Sequence, residues 1–391
     1  MNRLLLLIFL LANLTAKGQT VQLSPTAEVS IITCGPWQEE VYSAFGHSAI
    51  RVYDSLRQID YIYNYGVFDF NQPNFYLNYT RGLLNFKLGV YPYPDFRDIY
   101  IYYNRSVTEQ VLNLSAPQKQ SLYDYLEWNA LPENETYRYD YFYNNCASKV
   151  RDVFRDVLKD SIRFDSSFIK TDYTIRQLTD IYLTKQPWGD LGIDICLGLP
   201  MDKKAAPFEY MFLPDYIESS FDHVTINQNG TFVPLVRSKV HVYEHRPEKS
   251  QVQWFQPWTV LGAFLAVTFA LSVYDWRRKN LSKWFDIILF GVTGAVGSLL
   301  LLLWTATDHQ AAAKNFNLLW ALPTHLFVFV IFRKKSATFL KKYFLGISVL
   351  TSLLLVSWFF LPQQLNIFLI PFVGAVLCRA ITISKLLGPV K

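Results

Sequence analysis

Histidine and cysteine are both scarce in this chain, and that scarcity narrows what it can do. Six histidines and four cysteines occur in 391 residues, and none falls at the close spacing of a metal centre. Glycine-rich phosphate loops and internal repeats are also missing, which leaves nucleotide-driven chemistry and solenoid folds without support. No cofactor is expected. The formal charge is only +5. It falls largely on short loops between apolar stretches, so it reads as membrane topology and not as nucleic-acid binding.

The hydrophobic residues, 51% of the chain, are unevenly spread. Residues 1–18 read as a secretory signal. Arg3 supplies the positive start, Leu4 to Ala12 the apolar core, and Ala16-Lys17-Gly18 a small-x-small cleavage site before Gln19. An uncleaved first transmembrane helix is the other reading, and either one exports the next segment. No cysteine stands after the site, so this is not a lipoprotein signal. Residues 19–250 read as a tyrosine-rich exported domain and 251–391 as a membrane domain.

Five apolar segments stand out at 257–274, 285–305, 316–332, 343–361 and 367–383, each near the ~20 residues that cross a bilayer. The loops between them alternate in charge. Residues 275–283 carry Arg277, Arg278, Lys279 and Lys283, and residues 333–342 carry Arg333, Lys334, Lys335, Lys341 and Lys342. The tail adds Arg379, Lys385 and Lys391. The loop at 306–315 has only Lys314 against Asp308, and 362–366 has no charge. Positive loops mark the cytoplasm. The large domain and the two poorly charged loops therefore face the export side, in agreement with the leader. Trp254, Trp258, Trp276, Trp284, Trp304 and Trp358 lie near segment ends, as an interfacial belt does. Asp308, His309, Asn315, Asn317, Trp320, Pro323 and His325 gather at the outer end of the third segment. They predict either a polar cap satisfied by headgroups and water, or a lipid-headgroup or acceptor site built on Asp308, His309 and Asn315.

His47 is the only histidine before His223. Period-two alternation predicts strands over 48–54 and 60–66, with a turn near 55–58. His47 starts the first strand. On the second, Tyr61, Tyr63 and Tyr65 share one face, and Ile62 and Asn64 the other. A neighbouring strand can bring the Asn64 amide beside the imidazole, where it would orient the ring. Residues 136–143 alternate again. Asn144-Asn145 then break the strand, and 146–159 has a helical period with Val150, Val153, Phe154, Val157 and Leu158 on one face. An asparagine cap puts Cys146 in the first helical turn. There the dipole and free N–H groups favour a thiolate and can hold an oxyanion. The plain alternative is a buried structural cysteine. Cys34, before Gly35-Pro36, is the rival nucleophile but opens no helix. Cys34 and Cys196 are also the one pair that could form a disulfide while sparing Cys146, and Cys378 lies in an apolar helix. His223, His241 and His245 read as surface residues of the linker and final strands.

A histidine on a strand followed by Asn-Cys at a helix start resembles the circularly permuted papain-like fold of lecithin retinol acyltransferase and, with its parts in the opposite order, of NlpC-like peptidases. More closely, FGHSAIRVYD, YNYGVFDF, YDYFYNNCAS and GIDICLGLPMD…FLPDYI resemble the exported domain of the Lnb-type lipoprotein N-acyltransferases of Bacteroidota. The stretch around DHQ and NFNLLW resembles the same family's membrane half. The resemblance implies an α+β, permuted papain-like periplasmic domain followed by five transmembrane helices. It implies acyl transfer from a phospholipid to the α-amine of a lipoprotein's diacylglyceryl-cysteine, in the bacterial inner membrane. His47 and Cys146 take the base and nucleophile positions. One departure concerns the third group: lecithin retinol acyltransferase has a second histidine soon after the first, and this chain has none. Two other classes share the same sequence features. A membrane-tethered cysteine peptidase or amidase needs the same dyad, and a non-catalytic binding domain could use the helices as an anchor.

Overall fold

The computed structural model describes residues 21–68, 71–247, 254–327 and 337–387. The expected leader at 1–18 lies outside them. In chain order the strands are β1 (Glu28–Cys34), β2 (His47–Asp54), β3 (Ile59–Val67), β4 (Leu84–Pro92), β5 (Val107–Leu112), β6 (Thr136–Tyr139), β7 (Ile162–Arg163), β8 (Thr225–Gln228), β9 (Thr231–Pro234) and β10 (Val236–Tyr243). Seven of them form an antiparallel sheet in the order β10-β5-β1-β2-β3-β4-β6, and β7, β8 and β9 form a small second sheet. The longer helices of this domain are α1 (Phe75–Thr80), α2 (Tyr93–Tyr102), α3 (Ala116–Asn129), α4 (Cys146–Leu158), α5 (Ile175–Leu183), α6 (Pro187–Cys196) and α7 (Pro214–Phe221).

The alternation read along β3 is real. Tyr63 and Tyr65 are buried with α3 and α4 on one face, and Ile62 is buried beneath α2 on the other. The two phenols end on α3, where Glu127 and Asn129 accept their hydrogen bonds at 2.5 and 2.6 Å. Both faces of the sheet are thus covered near its middle, which fixes the register that carries His47 and Asn64.

The strand expected over 136–143 stops at Tyr139. Asp140 ends it, because its carboxylate accepts from the N–H groups of Phe142 and Tyr143 at 2.9 Å each and closes a turn. The next helix starts at Cys146, as its cap requires. The Asn145 side chain accepts from Ser148 N–H at 2.9 Å, and the Ser148 hydroxyl accepts from Asn145 N–H at 2.8 Å. That is a reciprocal capping box. Val150, Val153, Phe154 and Leu158 bury the inner face of α4, and Val157 is half-buried beside them.

Beyond β10 the chain enters a helical membrane domain. Four helices among the described residues are long and apolar enough to cross a bilayer: α8 (Pro257–Arg278), α9 (Lys283–Thr305), α10 (Ala337–Ser357) and α11 (Ile370–Leu386). The third expected segment, 316–332, departs from a regular span. It forms short 3-10 turns at Phe316–Leu319 and Pro323–Phe327, and 328–332 lie outside the described residues. The irregular stretch packs against two glycines of α9. A Cβ on Gly297 would come within 1.8 Å of the Ala321 carbonyl oxygen, and one on Gly294 within 2.5 Å of Leu326 N. Arg379 also departs from expectation. It is no exposed topology signal, because its guanidinium is fully buried between Asp286 at 2.7 Å and Asp275 at 2.8 Å.

The loops at 306–315 and 362–366 both meet the exported domain. Gly198 N–H donates to the Ala311 carbonyl at 2.7 Å, Asn315 donates to the Ile195 carbonyl at 2.8 Å, and the Gln363 amide donates to the Leu197 carbonyl at 3.0 Å. These are the loops whose low positive charge predicts the export side.

Candidate active site

The structure brings three sequence-predicted residues together. His47 opens β2, and Asn64 lies on the adjacent β3. Their side chains meet at 2.5 Å between Nε2 and the Asn64 carbonyl oxygen. An amide oxygen can only accept, so Nε2 carries the proton, and Nδ1 is left for the sulfur of Cys146, to which the imidazole also hydrogen-bonds.

Electrostatics favour the charged pair. Burial alone would raise the Cys146 pKa. The charge of His47, its hydrogen bond and the backbone N–H groups of Ser48 and Ala147 outweigh burial and hold the thiol below its usual range. Burial likewise pulls His47 down, but the Cys146 charge and the hydrogen bonds from Cys146 and Asn64 raise it above an ordinary imidazole. The Ala147 and Ser48 N–H groups also point at the sulfur, where an oxyanion would form beside it.

Cys34 is the nearest competitor in space. It pairs with His47 across the β1–β2 register. Yet it is fully buried, and burial drives its pKa far above that of a free thiol. It is therefore a protonated core residue. All four cysteines are free, so the Cys34–Cys196 disulfide does not form.

Sequence reasoning missed the groups that surround the dyad. Tyr100 stacks on His47 with centroids 6.2 Å apart and planes 16° apart, and the Arg105 guanidinium lies 4.5 Å over the Tyr100 ring. Gly66 has φ +91°, and a Cβ there would sit 3.5 Å from Cys146 Cβ. The β3–β4 register slips between Tyr65 and Val67. A glycine inside an otherwise alternating tyrosine strand was the available signal for this bulge and close approach.

The expected substrate-side residues separate. Asp308 and His309 line a cleft of about 720 Å³, together with Arg138, Tyr139, Asn144 and Trp304. Asp308 bonds Arg138 at 2.6 Å, which ties the membrane loop to β6. Tyr139 is common to cleft and dyad, since it lies 3.8 Å from the same Cβ position on Gly66. Asn315 is elsewhere. It is buried, its amide donates to Ile195 and Cys196 carbonyls, and its oxygen accepts from Asn317 N–H at 2.9 Å. Its polar atoms are committed to holding α6, so it is a junction residue and does not line the cleft.

One acidic group has metal-like spacing: carboxylate oxygens of Asp180, Asp190 and Asp194 lie within 4.8 Å of one another. Asp194 is already held by Arg176 at 2.5 Å, and Asn366 donates to both Asp190 and Asp194. Burial, then the charges of Asp194 and Asp190, push Asp180 up to about 8, so it holds a proton at neutral pH.

Two family models match the chain, the Lnb N-terminal periplasmic domain over residues 17–181 and the Lnb transmembrane domain over residues 248–387. Between them they cover most of its length. The chain belongs to the Lnb family. Neither the curated proteins nor the solved structures contain a match. In this Lnb protein, His47, Asn64 and Cys146 fall in the periplasmic match, and Asp308 and His309 in the transmembrane match. The short name of the latter counts five transmembrane helices. The Lnb protein is thus a membrane protein with a periplasmic α+β domain, and α6, which clamps the two parts together, lies between the matched stretches.

Proposed function

We propose that this protein is a lipoprotein N-acyltransferase of the bacterial inner membrane. Its donor is a phospholipid and its acceptor the α-amine of a diacylglyceryl-cysteine. The observation that carries the reading is the position of the Cys146–His47 dyad, next to Tyr139 of a cleft whose other wall is the outer end of a membrane helix. Two substrates anchored in one leaflet are held close there, which replaces much of the entropy of a bimolecular encounter.

The chemistry divides into two steps. The Cys146 thiolate attacks the ester carbonyl of the phospholipid, and the oxyanion is held by the N–H groups of Ala147 and Ser48. The C–O bond breaks, His47 gives its proton to the leaving alkoxide, and a lysophospholipid departs from acyl-Cys146. The lipoprotein amine then attacks the thioester, His47 accepts its proton, and the thiolate leaves with the amide formed. Asn64 is a positioning residue that keeps the Nε2 proton in place so that Nδ1 faces the sulfur.

The test is expression in cells depleted of their own lipoprotein N-acyltransferase. The lipoprotein N-terminal peptide should change from diacylated to triacylated by mass spectrometry, and Cys146→Ala should leave the amine free. A free amine with trimmed cell-wall peptides would instead select a cysteine peptidase.

A further inference from the structure

We propose that α1 lies in the outer surface of the bilayer and leads an acyl chain to Cys146. This rests on the acyl-transfer reading for its cargo, but not for its placement. The sequence of α1, Phe75–Thr80, contains no charged residue. Tyr76, Leu77 and Tyr79 are 75%, 56% and 53% exposed, an unusual display for three large apolar groups on one turn and a half of helix.

The chain just after α1 is fixed to a membrane span. The Arg81 carbonyl accepts from Asp308 N–H at 3.0 Å, and a Cβ on Gly82 would lie 3.1 Å from the backbone of Asp308 and His309. Asp308 comes shortly after Thr305, where α9 ends, beside the exposed Trp304. The exposed side chains of α1 are therefore held at the level of the outer lipid boundary. Tyrosine is favoured there, since its ring is apolar and its hydroxyl meets the headgroups. Continuity with the end of a spanning helix selects lipid as the occupant over a second copy of the chain or another protein.

An aromatic line leads from Phe68, seven residues before α1, to the thiol. Phe68 packs on Phe86 with centroids 5.3 Å apart, Phe86 stacks on Tyr139 at 4.2 Å, and Tyr139 adjoins Gly66 beside Cys146. A chain leaving the leaflet under α1 would track that line to the thiol.

The test uses the full chain in lipid nanodiscs, with a genetically encoded fluorescent residue in place of Leu77 or, as a control, Leu56. Leu56 is 70% exposed, at the β2–β3 turn and the opposite end of β2 from His47. Phosphatidylcholine with a nitroxide near its headgroup should quench the label at 77 several-fold more than at 56. Equal quenching, or none at 77, overturns the placement. The variant Y76S/L77S/Y79S should load Cys146 from vesicle phospholipid about fivefold more slowly or worse, while iodoacetamide alkylates Cys146 at the parental rate. Unchanged loading overturns the delivery role. A parental protein that never loads would refute the acyl-transfer reading, and the quenching would still decide where α1 lies.

Discussion

The start of α4 and the junction between the two domains both bury polar groups, but they leave them in different states. At the junction most of the groups are paired, although one carboxylate oxygen of Asp190 has no partner. Arg176 donates to Asp194, Asp202 and two carbonyls, and Asn315, Gln363 and Asn366 spend their amides on α6 and its neighbours. At α4 the sulfur of Cys146 is held by one imidazole and two N–H groups, which lower its pKa against the effect of burial. Burial with most valences satisfied makes a hinge pin. Burial with one reactive atom whose charged form is favoured makes a reagent.

The largest effect that separates the two regions should come from the dyad. Cys146→Ala and His47→Ala should each cut acyl transfer by about a thousandfold or more, with the melting temperature little changed. Cys34→Ala should keep substantial activity, because that thiol is protonated and closed off; a dead Cys34→Ala protein beside an active Cys146→Ala protein would reverse the assignment.

Next in size is Asn64→Ala, with an expected loss of about 10–100-fold. Removal of the amide oxygen also removes a bond that raises the His47 pKa. The pH at which Cys146 alkylation and turnover respond to His47 should therefore move down. A parental profile would leave Asn64 without a positioning role.

Junction substitutions should show the opposite split. Asn315→Ala leaves the Cys196 carbonyl without its side-chain donor and the Ile195 carbonyl with Asn317 alone, and should cost about 1–3 kcal/mol of stability. The rate of Cys146 alkylation should not change. If activity fell while the melting temperature held, Asn315 would belong to the site after all.

The contrast between regions also shows how far the chain can be read unaided. His47, Asn64 and Cys146 are legible because each depends on local order: a strand start, a period-two face and an asparagine cap. The end of β6 is not, since Asp140 overrides the tyrosine alternation with side-chain bonds to Phe142 and Tyr143 N–H. Asn315 and the turns at 316–327 escape a local reading for a related reason. Apolar length suggests a span, and only contacts with α6, far away in sequence, show that the polar groups are satisfied by a docked domain. Tyr100 and Gly66 reach the dyad through tertiary packing, which leaves little periodic trace.

A pH-dependent effect concerns Asp180. An unfolded chain releases this proton near the ordinary carboxylate value of about 4, whereas the folded junction holds it up to about 8. Between those pH values the folded state binds the extra proton, so rising pH favours unfolding through this group. Asp180→Asn should flatten that decline, with a higher melting temperature at pH 8 than the parent and less difference at pH 5. Parallel curves would mean that Asp180 is not buried against its neighbours in solution.

The most direct test of the central claim is the intact mass of the purified protein after exposure to phospholipid vesicles with no amine acceptor. The account predicts one fatty-acyl increment, mapped to Cys146, missing in Cys146→Ser and discharged when a diacylated lipopeptide is added. A folded protein with a reactive Cys146 that gains no acyl group from phospholipid, or carries it on another residue, would contradict it.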